Sequence, residues 1–308
     1  MRLYLGGDKG LVLYEDGDVS QLHTEGIECA VRPTPGRLVA GATSGAILVW
    51  DGKGDARVTA KDLGDGVHSL GVTSKGLVFA GTIPASSWAS KDAGETWKEL
   101  PSFSEAPSHE GWTAPWGTPL ASAIGTHPKD PKTVYFGVEV GGIYRTRDAG
   151  KKWFDLELPC ADIHSIQVCP ANPARVFVTT GEGGFVSDDE GFNWKEMGIN
   201  NQRRYTMGLA AHPTEADRVI VSAADSPPPW KDAKCDIYLS TDSGRRFRTV
   251  VKDLKGGVGR RALVINPKVP SEIAFGTSTG DVYYSNDGGE SFDNVASGLG
   301  DLKMVLFT

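Results

Sequence analysis

Five eight-residue segments of this chain obey one rule: Ser or Thr first, Asp third, Gly fifth and Trp or Phe eighth. They run from Ser90 to Trp97, Thr146 to Trp153, Ser187 to Trp194, Ser240 to Phe247 and Ser285 to Phe292. The chemistry is that of a fastened hairpin. Hydroxyl and carboxylate hydrogen-bond inside the turn, and the glycine adopts a backbone conformation that a β-carbon would penalise. The aromatic ring packs inward against neighbouring strands. One copy would carry little weight, but five in one chain require a repeated β unit. The aspartates of these segments are accordingly structural and poor candidates for catalysis.

Around each segment runs a longer pattern: an apolar strand, a proline turn, a second strand, a glycine-rich turn, the hairpin and a final strand. The unit beginning at Ile163 shows it, with Ile163–Val168, then Cys169-Pro170-Ala171-Asn172-Pro173, then Val176–Thr180. Proline turns recur at His127-Pro128, His212-Pro213 and Asn266-Pro267, and in weaker form at Arg32-Pro33. No segment has a helical period, so the chain is expected to be all-β. Two degenerate units precede the five, one holding Tyr14-Glu15-Asp16-Gly17 and one holding Val49-Trp50-Asp51-Gly52, with Trp50 read as standing in for the hairpin aromatic. The first unit lacks an opening strand, and an orphan strand, Leu302–Phe307, ends the chain. The expectation is a single domain over residues 1–308: a seven-bladed β-propeller of four-stranded blades, closed by strand 302–307 joining blade one.

Composition excludes several function classes. A net charge of −7 with no basic run argues against nucleic-acid binding. No apolar stretch is long enough for a membrane span, and the first residues do not read as a signal peptide. Cys29, Cys160, Cys169 and Cys235 form no CxxC pair. A cytoplasmic protein with reduced thiols and no membrane partner is the resulting expectation.

With the hairpins placed, the chain resembles the BNR/Asp-box superfamily over essentially its whole length. That group includes sialidases, xyloglucanase-type glycoside hydrolases, sortilin-like receptor domains and a photosystem II assembly factor. The resemblance implies the fold and leaves the function open, because propellers host many activities. A sialidase would carry an arginine-containing Phe/Tyr-Arg-Ile-Pro motif near its start. Only Arg32-Pro33 approaches it, in a turn, and six blades would be usual there.

In propellers of this kind the hairpins lie on one face and the pocket opens on the other. Trp97, Trp153 and Trp194 belong to hairpins, whereas Trp88, Trp112, Trp116 and Trp230 fall in loops of the opposite face. Two of those loops are long insertions, Pro101–Pro119 and Asp225–Asp236. The four tryptophans either wall a ligand or pack the insertions as lids.

His68 and His164 occupy one register, at the start of an innermost strand in blades three and five, and Glu139 sits on the blade between them. The three are candidates either for a divalent transition metal (Zn, Fe or Mn) or for acid–base catalysis, with His109, Glu110 and Glu182 within reach. They could equally be hydrogen-bonding groups that plug the channel. Tyr205 joins them as a catalytic candidate. Arg203, Arg204, Arg260, Arg261 and Lys303 form a cationic arc; Arg204, Arg261 and Lys303 would hold an anionic ligand unless acids such as Glu28 or Asp301 pair them. Two functions fit. One is a hydrolase or lyase acting on a small carboxylated or sugar-like molecule, for which Glu139 and Glu182 would be the glycosidase pair. The other is a non-catalytic propeller that binds a ligand or a protein partner through the same face.

Overall fold

A computed structural model describes residues 1–199, 203–227 and 233–308. Its strands, β1 to β28 in chain order, form seven four-stranded antiparallel sheets. The innermost strands are β4 (Ile27–Thr34), β8 (Gly66–Val72), β12 (Ala121–Thr126), β16 (Ile163–Val168), β20 (Tyr205–Ala211), β24 (Leu263–Ile265) and β28 (Leu302–Phe307). They pack side by side round a central channel, each followed outward by the other three strands of its blade. Helical structure among the described residues is confined to two short 3-10 turns, Pro101–Phe103 and His109–Gly111, both in the long 101–119 loop.

The ring closes as the orphan strand predicts. In blade one β28 lies innermost and pairs antiparallel with β1 (Arg2–Gly7), so the two ends of the chain share one sheet. Second strands are the most apolar. That of blade four, β13 (Val134–Val138), is buried at every position, because one face meets the preceding blade and the other the following one. The core therefore lies between blades. Tyr4 and Leu13 of blade one, for instance, join Leu38, Leu48 and Trp50 of blade two in one cluster.

The five hairpins are built alike. In each, the leading hydroxyl donates to the Asp carboxylate over 2.7–2.9 Å. The hydroxyl oxygen then accepts the glycine N–H over 2.8–2.9 Å. Between them the residue before the glycine has positive φ, from 56° at Ala93 to 78° at Gly288. In blades four to seven its N–H reaches a carbonyl of the turn between the first and second strands: Lys132, Ala174, Asp217 and Ser271. Hairpins and proline turns thus share one face. Trp50 differs from expectation: it pairs with Leu38 where Ser90 pairs with Val78, so it occupies the position of the hairpin hydroxyl, not of the aromatic. Having no box geometry to obey, it lies in the blade one–blade two core, edge-on to Tyr4 at 5.6 Å.

Candidate functional site at the central channel

An irregularity recurs in the innermost strands of blades one to six. One residue, or two in blade six, is left unpaired against the second strand: Lys303, Glu28, His68, Ser122, His164 and Met207–Gly208 in turn. Such a β-bulge re-aims a side chain out of strict alternation. His68, His164 and Lys303 therefore share a register in the structure too. The bulges also knit blades together: Ser122 Oγ donates to the Ile163 carbonyl over 2.5 Å, and His164 Nδ1 lies 2.6 Å from the Thr206 carbonyl.

Two arginines that precede β24 bar the channel at this level. The Arg260 guanidinium, on blade seven, binds the Glu139 carboxylate on blade four, and that of Arg261 donates to the Ser122 carbonyl. Beyond them, toward the hairpin face, is a cavity of about 710 Å³. Its walls are mainly aliphatic, including Val31, Val72, Ile124, Leu209 and Ile265, with Gln167, Arg32 and Lys268 also in the lining, and His164, Arg260 and Arg261 form its inner end. Pro33, Pro170, Pro213 and Pro267 rim it. This room lies at the hairpin face, not the opposite face where the pocket is expected from the sequence. Long polar side chains fill the channel at the starts of the innermost strands, and short aliphatic ones leave it open at their ends.

Beside the arginine bars, Glu139, Asp162 and His164 each bring one potential ligand atom within 4.8 Å of the others. Glu139 follows β13 and is held there by its N–H bond to the Leu120 carbonyl, 3.0 Å. Asp162 and His164 flank Ile163, so the two-residue period of an extended chain brings them to one side. His164 has no solvent exposure, while the Asp162 side chain keeps 29% of its own. The Tyr205 ring lies against the His164 imidazole, centroids 4.7 Å apart. Burial works against the Asp162 carboxylate, while a protonated His164 and the charge of Arg260 act the other way and lower its pKa. Burial, then the Asp162 charge, push the Tyr205 hydroxyl up to about 12.

Of the expected trio of His68, His164 and Glu139, the structure brings together His164 and Glu139. Among the described residues Asp162 completes the group and His68 stands outside it. Blade four, with Ser122 at the same bulge, separates the two histidine registers. His68 instead sits in the field of Glu28, Arg260, Arg261 and Glu139, and burial lowers its pKa. Asp162 was not among the expected residues, although Asp162-Ile163-His164 carries a signal for it: two donor side chains two residues apart at a strand start.

The remaining candidates divide. Lys303 pairs with Asp301 at 2.7 Å, and Arg204 with Glu196 at 2.9 Å, so both are salt-bridged at the surface. Arg203 is bound by Asp225, Asp236 and Asp253. Trp112 is a packing residue, donating to the Tyr144 hydroxyl over 2.6 Å and set against Phe103. Trp88 lies in a strand, half-buried, bonded to Ser86 Oγ at 2.8 Å. Trp116 is 50% exposed. Trp230 lies outside the described residues. His109 caps its own turn through Ala106, and Glu182 is exposed.

Seven four-stranded blades, five fastened hairpins and closure by β28 on β1 together define a seven-bladed β-propeller, consistent with the Asp-box (BNR-repeat) type. The family model described as "Sortilin, neurotensin receptor 3" matches residues 141–256. The chain is 24% identical over 203 residues to the oligoxyloglucan-reducing end-specific xyloglucanase of Emericella nidulans, covering 56% of this chain and 24% of that enzyme. It thus spans about a quarter of that relative's length. An ancestral GH74 enzyme superposes with a TM-score of 0.65 at 14% identity, over 91% of this chain and 38% of its own. YCF48 bound to D1 peptide gives 0.61 at 16% identity, over 91% and 86%. These likenesses show the fold, one shared with glycoside hydrolases. No helix among the described residues is long and apolar enough to cross a membrane.

Proposed function

We propose that this propeller is a hydrolase-type protein that takes a small carboxylated ligand with an apolar body into its central channel from the hairpin face. The observation that carries this reading is the cavity itself: aliphatic walls ending on His164, Arg260 and Arg261. Apolar burial would supply affinity, about 0.8 kcal/mol per methylene removed from water, and the guanidinium end would orient the anion. Chemistry belongs at that inner end, where His164 lines the cavity with Asp162 behind its Nε2 and Tyr205 against its ring. The relatives favour a glycosidase instead, and Glu139 with Asp162 would then be its two carboxylates. In that variant neither carboxylate stands free as the acid, since Glu139 is bound by Arg260 and Asp162 faces His164.

The test is a thermal-shift and calorimetric series with linear carboxylates from butyrate to decanoate, followed by their p-nitrophenyl esters and by xyloglucan oligosaccharides. Melting temperature should climb with chain length, and Gln167→Trp, which fills the channel wall, should abolish the effect. Binding without ester turnover would indicate a non-catalytic binding propeller. Turnover of the oligosaccharides alone would establish the glycosidase, and no binding at any length would sink the channel reading.

A further inference from the structure

The arrangement of His164 and Asp162 is incomplete as it stands. His164 Nδ1 lies 2.6 Å from the Thr206 carbonyl, which can only accept, so this nitrogen carries the hydrogen. In the neutral ring Nε2 is then a lone pair. It faces Asp162 Oδ1 at 3.4 Å, and neither atom has a hydrogen-bond partner although both are shielded from solvent. Two acceptors face each other in a buried place, which costs free energy unless something positive lies between them. A proton would draw the pair together, because charge-assisted N–H···O bonds run to about 2.7–2.9 Å. A separation of 3.4 Å is instead close to that of two ligands on one tetrahedral ion with bonds of about 2.0–2.2 Å.

We infer that Glu139, Asp162 and His164 form a binding site for one divalent transition cation, of the zinc, manganese or ferrous class. The donor set of one imidazole and two carboxylates suits such ions better than calcium, which prefers oxygen alone. The Arg260 guanidinium is bound to Glu139 and that of Arg261 is turned to the Ser122 carbonyl, so neither pairs with Asp162. Outer contacts of the kind that fix metal ligands are already in place. The Thr206 carbonyl sets the tautomer, the Tyr205 ring sets the imidazole plane, and Arg260 holds Glu139. The partial exposure of Asp162 leaves a side from which water or a substrate oxygen can reach the ion. This inference assigns the activating group at the site of the proposed hydrolase, but its test reads the metal alone.

Full-length protein is stripped with a chelator, dialysed and titrated calorimetrically with Zn²⁺ and, separately, Mn²⁺, with melting temperature recorded alongside. One ion should bind per chain and raise the melting temperature. Asp162→Asn keeps shape and partial exposure, so its fold should survive. Its affinity should fall by more than the about 10–100-fold lost with an outer-shell partner. His164→Ala should lose binding entirely. If His164→Ala fails to fold, the folded Asp162→Asn variant still decides. Absence of binding in the native protein, or unchanged affinity in Asp162→Asn, overturns the site. Carboxylate binding that persists in chelated protein would leave the channel reading intact while the metal inference fails.

Discussion

The Arg260–Glu139 pair shows how much one contact does at the channel. It ties blade seven to blade four, opposite members of the ring, with side chains only 19% and 9% exposed. Removing one partner strands a buried charge, so Arg260→Met should destabilise by about 3 kcal/mol in urea unfolding. Adding Glu139→Gln should recover most of that loss, and a double variant no better than Arg260→Met alone would show that the pair is not the source of the penalty. The tryptophans offer a cleaner contrast. Trp112 fills an aromatic cluster with Phe103 and Tyr144, so Trp112→Ala should cost about 3 kcal/mol or more. Trp116→Ala, at an exposed ring, should stay within about 0.5 kcal/mol. Equal losses on denaturation would place both rings in the core. At this scale the sequence was informative about types and poor about partners. His164 and Glu139 were legible as a pocket pair. Asp162 is legible only as the partner of His164 two residues on, and Arg260 matches Glu139 only through the facing of blades seven and four.

At the scale of the hairpin, legibility was nearly complete, and the cause is physical. Each box closes its bonds within eight consecutive residues, so its geometry is written in local order. The bulges at the strand starts were invisible for the opposite reason, since a bulge exists only relative to the partner strand. Trp50 was misassigned because a Trp beside Asp51-Gly52 imitates a box in composition while sitting one strand earlier in register. The boxes also set the response to acid. Hydrogen bonds from the turn hold Asp92, Asp189 and Asp242 at about 2 in the folded chain, below their ordinary 3.8. A carboxylate whose pKa is lower when folded binds its proton more readily in the unfolded chain. Its stabilising contribution is therefore whole above pH 4 and disappears as pH falls through 2. Melting temperature followed from pH 5 to pH 2 should drop, and Asp189→Ala, already weaker by about 1–2 kcal/mol at neutral pH, should drop less steeply. Parallel curves for the two proteins would remove Asp189 from the acid response.

For the molecule as a whole, closure is the decisive contact. The blades bury their apolar faces against one another, so a ring left open exposes two such faces at once. Deleting residues 302–308 removes the innermost strand of blade one and should give a chain that is soluble only as aggregates or unfolded by circular dichroism. A monomer with the native melting temperature would contradict that role. Supplying the missing strand as a separate peptide, Leu302–Thr308, should partly restore the native spectrum if the lost pairing is the cause. The number of blades and the manner of closure were both readable from the orphan strand, whereas the side of the ring that holds the cavity was not. It depends on which end of the channel the long polar side chains fill, a property of all blades together.

Strand β28 is antiparallel to β1 yet lies almost three hundred positions away along the chain. A ribosome delivers residue 2 long before residue 307. Throughout synthesis blade one waits with its inner edge bare, while the later blades stack behind it as an unclosed crescent. The ring is therefore closed late: that step waits until strand β28 has cleared the exit tunnel. Until that moment the cell must keep a naked sheet edge from finding the wrong partner.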